Sequence, residues 1–184
     1  MPELQIISPV SVIASILLAT GLVGSAEAEV KSVAPNGFEV VETVTIQAPP
    51  EQVYSALGKI SQWWSSSHTF SHDAANLSLE LKPGGCFCER LKNGGSVQHL
   101  VVVYAAPGEG LRLRGALGPL QMEGVDGTLA WTLKPGEGGT NLTQSYVVGG
   151  YIRSGMEVWA PKVDGVLHEQ LDRLRRFVEA KPLN

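Results

Sequence analysis

Side chains able to do acid-base, nucleophilic or metal chemistry gather in two short runs, Cys86-Phe-Cys-Glu-Arg90 and Ser96-Val-Gln-His99, on either side of Asn93-Gly94. Asn-Gly tolerates the left-handed dihedrals of a two-residue hairpin turn, so the runs read as paired antiparallel strands. A turn closed on those two residues sets Leu91 opposite Ser96, Glu89 opposite Gln98, Cys88 opposite His99 and Phe87 opposite Leu100. One face then carries Phe87, Glu89, Leu91, Gln98, Leu100, Val102 and Tyr104. The other carries Cys86, Cys88, Arg90, Val97, His99, Val101 and Val103.

Turned inward between Phe87 and Leu91, Glu89 is a desolvated carboxyl able to move a proton or anchor a ligand. Turned outward it is a solvated edge carboxylate, and pairing alone leaves both orientations open. Cys88 opposite His99 has the makings of a thiol nucleophile, and two thiolates with an imidazole those of a zinc site. No third group orients His99, however, and no fourth ligand stands nearby. Sulfurs two residues apart on a strand sit near the upper limit of disulfide reach, so two free, half-buried thiols are expected at Cys86 and Cys88. His68, His72 and Asp73 share a metal-like spacing within a Ser-rich loop, a context in which histidines are usually just solvated. Asn76-Leu-Ser78 and Asn141-Leu-Thr143 match the glycosylation pattern, which applies only in a compartment that glycosylates. No phosphate loop, nucleophile elbow, His-Glu-x-x-His or dinucleotide fingerprint occurs, so neither a cofactor nor a metal is expected.

Such groups need a scaffold, and its organising element is the last stretch of the chain. From Trp159 to Val178 the apolar residues Val163, Val166, Leu167, Leu171, Leu174, Phe177 and Val178 follow the spacing of one helical face. Glu169 with Arg173 and Asp172 with Arg176 lie four apart on the charged face, acid before base. Two starts are open: a capping box over Ser154-Gly-Met-Glu157, or Pro161 opening the main helix after a separate turn. Burying the stripe contributes on the order of 10 to 15 kcal/mol before ordering entropy, so it requires a partner surface. Residues 38 to 149 supply it, because they read almost wholly as strands. Phe38 to Ile46 is rich in β-branched residues, Leu77 to Leu81 alternates, and Leu129 to Leu133 with Asn141 to Val148 forms a final hairpin. Leu111 and Leu113 are placed on the Tyr104 face, with Arg112 and Arg114 on the outer one. Ala48 to Leu57 and Ile60 to Trp64 read as short helices, and Gly115 to Gly127 as an irregular linker.

With 14 Lys plus Arg against 18 Asp plus Glu, the net charge is -4, and the basic residues form no run. Nucleic acid and anionic membrane surfaces are therefore not expected partners. Residues 1–28 differ from the rest: Val10 to Val23 is apolar, and Ala26 and Ala28 have the spacing of a signal-peptidase site. This segment reads as a cleaved secretory signal, which implies a periplasmic or secreted protein with no obligatory membrane association. Because Met1 to Gln5 lacks Lys and Arg, an uncleaved anchor over residues 6–24 is the alternative.

The order of strand, two short helices, antiparallel strands and long helix is an α+β layout. It resembles the helix-grip fold of the START-like or SRPBCC superfamily. Ile46-Gln-Ala-Pro-Pro-Glu-Gln-Val-Tyr-Ser-Ala-Leu57 is similar to the I-x-A-P-x-E-x-V-W/Y opening of its polyketide cyclase and dehydrase group. Leu129-Ala-Trp-Thr-Leu-Lys-Pro135 with Gly139-Thr-Asn-Leu-Thr143 resembles a hairpin shared with activators of the heat-shock ATPase. The resemblance spans one domain, residues 38–178, and implies a curved antiparallel sheet of about seven strands around the helix. It also implies a cavity between the two, opening near the Gly115 to Gly127 loop. The expected lining is Trp63 and Trp64, then Phe87, Glu89, Gln98, Leu100, Tyr104, Leu113, Met122, Trp131, Gln144 and Tyr146, a mostly apolar wall with polar handles. The expected function is binding of a small apolar or amphipathic molecule by an exported protein. The alternatives are a cyclase or dehydratase in which Glu89 or Tyr146 moves protons, and a partner-protein regulator like the heat-shock activators.

Overall fold

The computed structural model describes residues 29–180; the leader expected over residues 1–28 lies outside them. The described residues form one eight-stranded antiparallel sheet, in the spatial order β1-β2-β8-β7-β6-β5-β4-β3. In chain order these are β1 Glu29–Ala34, β2 Gly37–Ile46, β3 Leu77–Leu79, β4 Cys86–Arg90, β5 Ser96–Ala106, β6 Gly110–Arg114, β7 Gly124–Gly136 and β8 Gly139–Tyr151. Helix α1, Pro50–Leu57, follows β2, and helix α2, Met156–Glu179, closes the domain. The α+β class, the curved sheet and the long terminal helix are as the sequence implied. The additional strand is β1, which pairs with β2 across a turn at Pro35-Asn36. The second short helix contracts to a 3-10 turn at Ile60–Gln62.

Neither proposed start opens α2. The helix runs unbroken with Pro161 inside it, and Gly155 at its N-cap makes no side-chain bond. Ser154 instead accepts a hydrogen bond from the Trp159 indole at 2.9 Å. Val163, Leu167, Leu171, Leu174 and Val178 are buried, with Val166 and Phe177 half-buried, as the periodicity requires. No described helix is long and apolar enough to cross a membrane.

Polar ties hold α2 on the sheet. The Trp131 indole donates to Gln144 Oε1 (2.8 Å), and Gln144 Nε2 donates to the Leu167 carbonyl (3.1 Å). Buried Glu42 on β2 pairs with His168 at 2.7 Å. The helix packs closely along β2 and β1 and stands off from β4 and β5, leaving space over that half of the sheet.

The hairpin turns where expected, with Asn93 and Gly94 at positive φ, 59° and 77°, but over three residues, Lys92–Gly94, rather than two. Its register differs from the expected one. Leu91 N–H donates to Gly95 O, so Arg90 faces Ser96, Glu89 faces Val97 and Cys88 faces Gln98. A bulge at His99 then restores Phe87 opposite Leu100. A second irregularity, at Val103, falls between Val102 and Tyr104. Each extra residue reverses the facing of the strand beyond it. His99 therefore turns inward and is buried, while Gln98 and Tyr104 turn outward and are exposed. Glu89, left open by the sequence, is inward at 1 % exposure.

The expectation of two free thiols is corrected at the first bulge. There Cys86 and Cys88 have Cα atoms 5.3 Å apart and are joined as a disulfide. A regular strand would separate such residues by about 6.6 Å, near the top of disulfide reach, whereas the 5.3 Å found here lies well within it.

Candidate functional site

Where α2 stands off from the sheet lies a cavity of about 360 Å³, partly open to solvent. Its helix wall is Trp159, Lys162, Val163, Val166 and Leu167; its sheet wall is Leu77, Phe87 and His99. Two loops close the sides, Ser67 to Phe70 and Leu117 to Leu120.

Both loops are pinned rather than draped. Arg173 Nε donates to the Trp63 carbonyl (2.7 Å), Gln170 Oε1 accepts from the Ser65 N–H (2.7 Å), and His68 pairs with Glu169 at 2.9 Å. The 63–68 segment is thus docked on α2, and His68 is spent on a helix carboxylate rather than joined with His72 and Asp73. Among the described residues no group of three or more His, Cys, Asp or Glu side chains is placed to hold a metal. The second loop hangs from Tyr146, whose hydroxyl donates to Gly115 O and accepts from the Leu117 N–H, both at 2.9 Å. Only glycine fits at position 127, because a Cβ there would lie 2.6 Å from the Tyr146 ring. Burial raises the Tyr146 pKa far above the ordinary phenol range, and both hydrogen-bonding roles of its hydroxyl are occupied. Tyr146 positions a loop and holds its proton. Tyr146→Phe removes both bonds to the half-buried Gly115 carbonyl and Leu117 N–H, so urea unfolding should register a loss of about 1 to 2 kcal/mol. An unchanged midpoint would refute the tether.

Behind the sheet wall, Glu89 and His99 form a buried pair, Oε2 to Nε2 at 3.0 Å, with the imidazole on the cavity surface and the carboxylate outside it. Glu89 Oε2 also accepts from the Phe70 N–H at 3.1 Å, and Oε1 from the Ser71 N–H. Desolvation pushes the Glu89 carboxyl up, but the bonds from Ser71, Phe70 and His99 together outweigh it and hold the group below the usual carboxylate range. Burial in turn pushes the His99 pKa down, against the pull of Glu89. The stable arrangement at neutral pH is a carboxylate facing a neutral imidazole. An ionised Glu89 only accepts, so Nε2 carries the ring proton and Nδ1 keeps its lone pair. The ring is packed by Phe87, centroids 5.0 Å apart, and stacked on Phe70 at 5.9 Å, while Trp64 meets Phe87 edge-on at 5.4 Å.

Of the residues read from sequence as the lining, Trp64 and Phe87 are on the cavity wall, and Glu89 stands directly behind it. Trp63, Leu100, Leu113, Trp131, Gln144 and Tyr146 are buried in the surrounding core. Gln98, Tyr104 and Met122 are solvent-exposed, Met122 more than Tyr104. His99 is hidden from sequence inspection, because a hairpin drawn without its bulge puts that residue outside. So are Phe70 and Leu117 to Leu120, which lie in loops without periodicity. Trp159 carried a usable signal, since it extends the Val163, Val166 and Leu167 face by one turn.

Several solved structures share the fold. CalU16 from Micromonospora echinospora is 17 % identical, with a TM-score of 0.58 over 86 % of this chain and 87 % of its own. SA2116 from Staphylococcus aureus is 17 % identical, at 0.58 over 84 % and 96 %. MLL2253 from Mesorhizobium loti is 17 % identical, at 0.57 over 79 % and 99 %. No curated protein matches the chain in sequence. The family model for polyketide cyclase / dehydrase and lipid transport matches residues 37–179, which takes in β2 through α2 and every wall of the cavity, and the chain belongs to that family.

Proposed function

We propose that the protein binds a small, mainly apolar molecule in the cavity between α2 and the β3–β5 half of the sheet. The observation that carries this reading is the cavity itself: a space of about 360 Å³ with aromatic and aliphatic walls and one buried polar pair at its side. Such a composition suits a ligand whose bulk is desolvated and whose orientation is set by few polar contacts. Native mass spectrometry of protein purified from its own host tests it. The expected result is a bound mass released by organic solvent, and tryptophan emission from Trp64 and Trp159 that changes when the ligand is returned. Protein that carries no ligand, and whose emission is unmoved by a panel of lipids and aromatic metabolites, would overturn the reading.

The proposed setting is outside the cytosol. It is supported by the apolar leader with its Ala26 and Ala28 spacing and by a disulfide of the kind that persists in oxidising compartments. The Glu89–His99 pair favours a second reading, an enzyme of the cyclase or dehydratase kind that uses His99 as a proton acceptor in the same cavity. Ligand recovered chemically changed after incubation, with His99→Gln binding but not converting it, separates the enzyme from the carrier.

A further inference from the structure

His99 is 5 % exposed, and its Nδ1 is buried with no hydrogen-bond partner. Its other nitrogen is committed to Glu89, and its ring is fixed between Phe87 and Phe70. Buried polar atoms are nearly always paired, because leaving one bare costs most of the desolvation penalty. The orphan belongs to a side chain of the cavity wall, and none of the polar wall residues, Ser67, His68, Thr69 and Lys162, bonds to it. The Glu89 carboxylate, accepting from Phe70 and Ser71 as well, cannot donate, so the tautomer with a proton on Nε2 is imposed from behind. Phe70, stacked on the imidazole and about half exposed, is the cover over this part of the wall.

Resting on the cavity reading above, we propose that Nδ1 of His99 accepts a hydrogen bond from a hydroxyl group of the bound molecule, so that the site selects apolar alcohols or phenols over ethers and hydrocarbons of the same size. Glu89 is the positioning residue. It touches no ligand and sets which ring nitrogen carries the lone pair.

Isothermal titration calorimetry with 4-propylphenol and its methyl ether, 4-propylanisole, tests this on the intact protein. The phenol should bind about tenfold more tightly, the worth of one buried hydrogen bond whose acceptor is otherwise stranded. In His99→Leu the preference should vanish. In His99→Gln it should persist, because the amide donates N–H to Glu89 and presents its carbonyl oxygen to the ligand. Should the leucine variant fail to fold, nitrogen-15 spectra of the unaltered protein still decide. The Nδ1 resonance of His99 should carry no proton in the free state and move when the phenol binds but not when the ether does. Equal affinity for both probes, with Nδ1 unmoved, overturns the hydroxyl site and leaves the cavity reading intact. Failure of both probes to bind overturns the two together.

Discussion

Glu89→Leu lowers the stability of the folded protein by about 3 to 5 kcal/mol, because three donors lose their acceptor at about 1 to 3 kcal/mol each, the partly exposed ones at the low end. The side chain has no solvent exposure and supplies acceptors to the Phe70 N–H, the Ser71 N–H and His99 Nε2 at once. Leucine fills the volume and strands all three. Urea unfolding measures the loss, and a change within about 0.5 kcal/mol would mean that the pair carries no structural weight. The same pair makes stability depend on pH. His99 and Glu89 both have folded-state pKa values below their ordinary 6.5 and 4.5, so the unfolded chain binds protons more readily at each. The stability contributed by this pair is therefore full above pH 6.5. It falls as acid passes first through the His99 window and then through the Glu89 window below 4.5. Glu89→Leu should lack the lower step. Stability that instead rises on acidification below pH 6.5 would contradict the neutral-imidazole arrangement.

Val166→Trp abolishes ligand binding while leaving the fold in place. Val166 is half-buried on the cavity face of α2, where an indole projects into empty space rather than into packed core. Filling that space removes the room a ligand needs, and affinity should fall by at least about a hundredfold, since nearly all of a small ligand's burial is forfeited. The apolar surface that the new ring covers offsets its lost rotamer freedom, so the urea midpoint should stay close to that of the parent. Calorimetry with 4-propylphenol reads the binding. Undiminished affinity in a folded variant would place the ligand elsewhere.

Periodicity and turn chemistry carried most of the architecture. The stripe from Val163 to Val178 needs only the 3.6-residue repeat to announce a helix with one buried face. The alternation through Leu129, Trp131 and Leu133, and through Leu142, Gln144, Tyr146 and Val148, needs only the two-residue repeat, and all of these side chains are buried. Asn93-Gly94 named its own turn, because few other pairs accept two consecutive positive φ values. These are local properties, each decided by a few neighbouring residues and the need to bury apolar surface.

The site was another matter. Whether His99 faces the cavity or the solvent depends on one unpaired residue in β5, and a bulge is settled by how a sheet bends over its helix rather than by which side chains flank it. That one-residue slip turned Gln98 out and brought His99, rather than Gln98, within hydrogen-bond reach of the inward Glu89. The next bulge sent Tyr104 outward, and the short Cα spacing at Cys86 and Cys88 admits a disulfide that regular strand spacing disfavours. The family resemblance put the Gly115 to Gly127 loop beside the cavity, but not which of its residues line it, and the Ser67 to Phe70 wall was not legible at all, since Arg173, Gln170 and Tyr146 hold these loops from more than twenty residues away. Helix, sheet and family were thus local and periodic enough to read from the chain. The polar pair beside the cavity and the loops around it came from long-range packing, in which a single extra residue reverses what each strand presents.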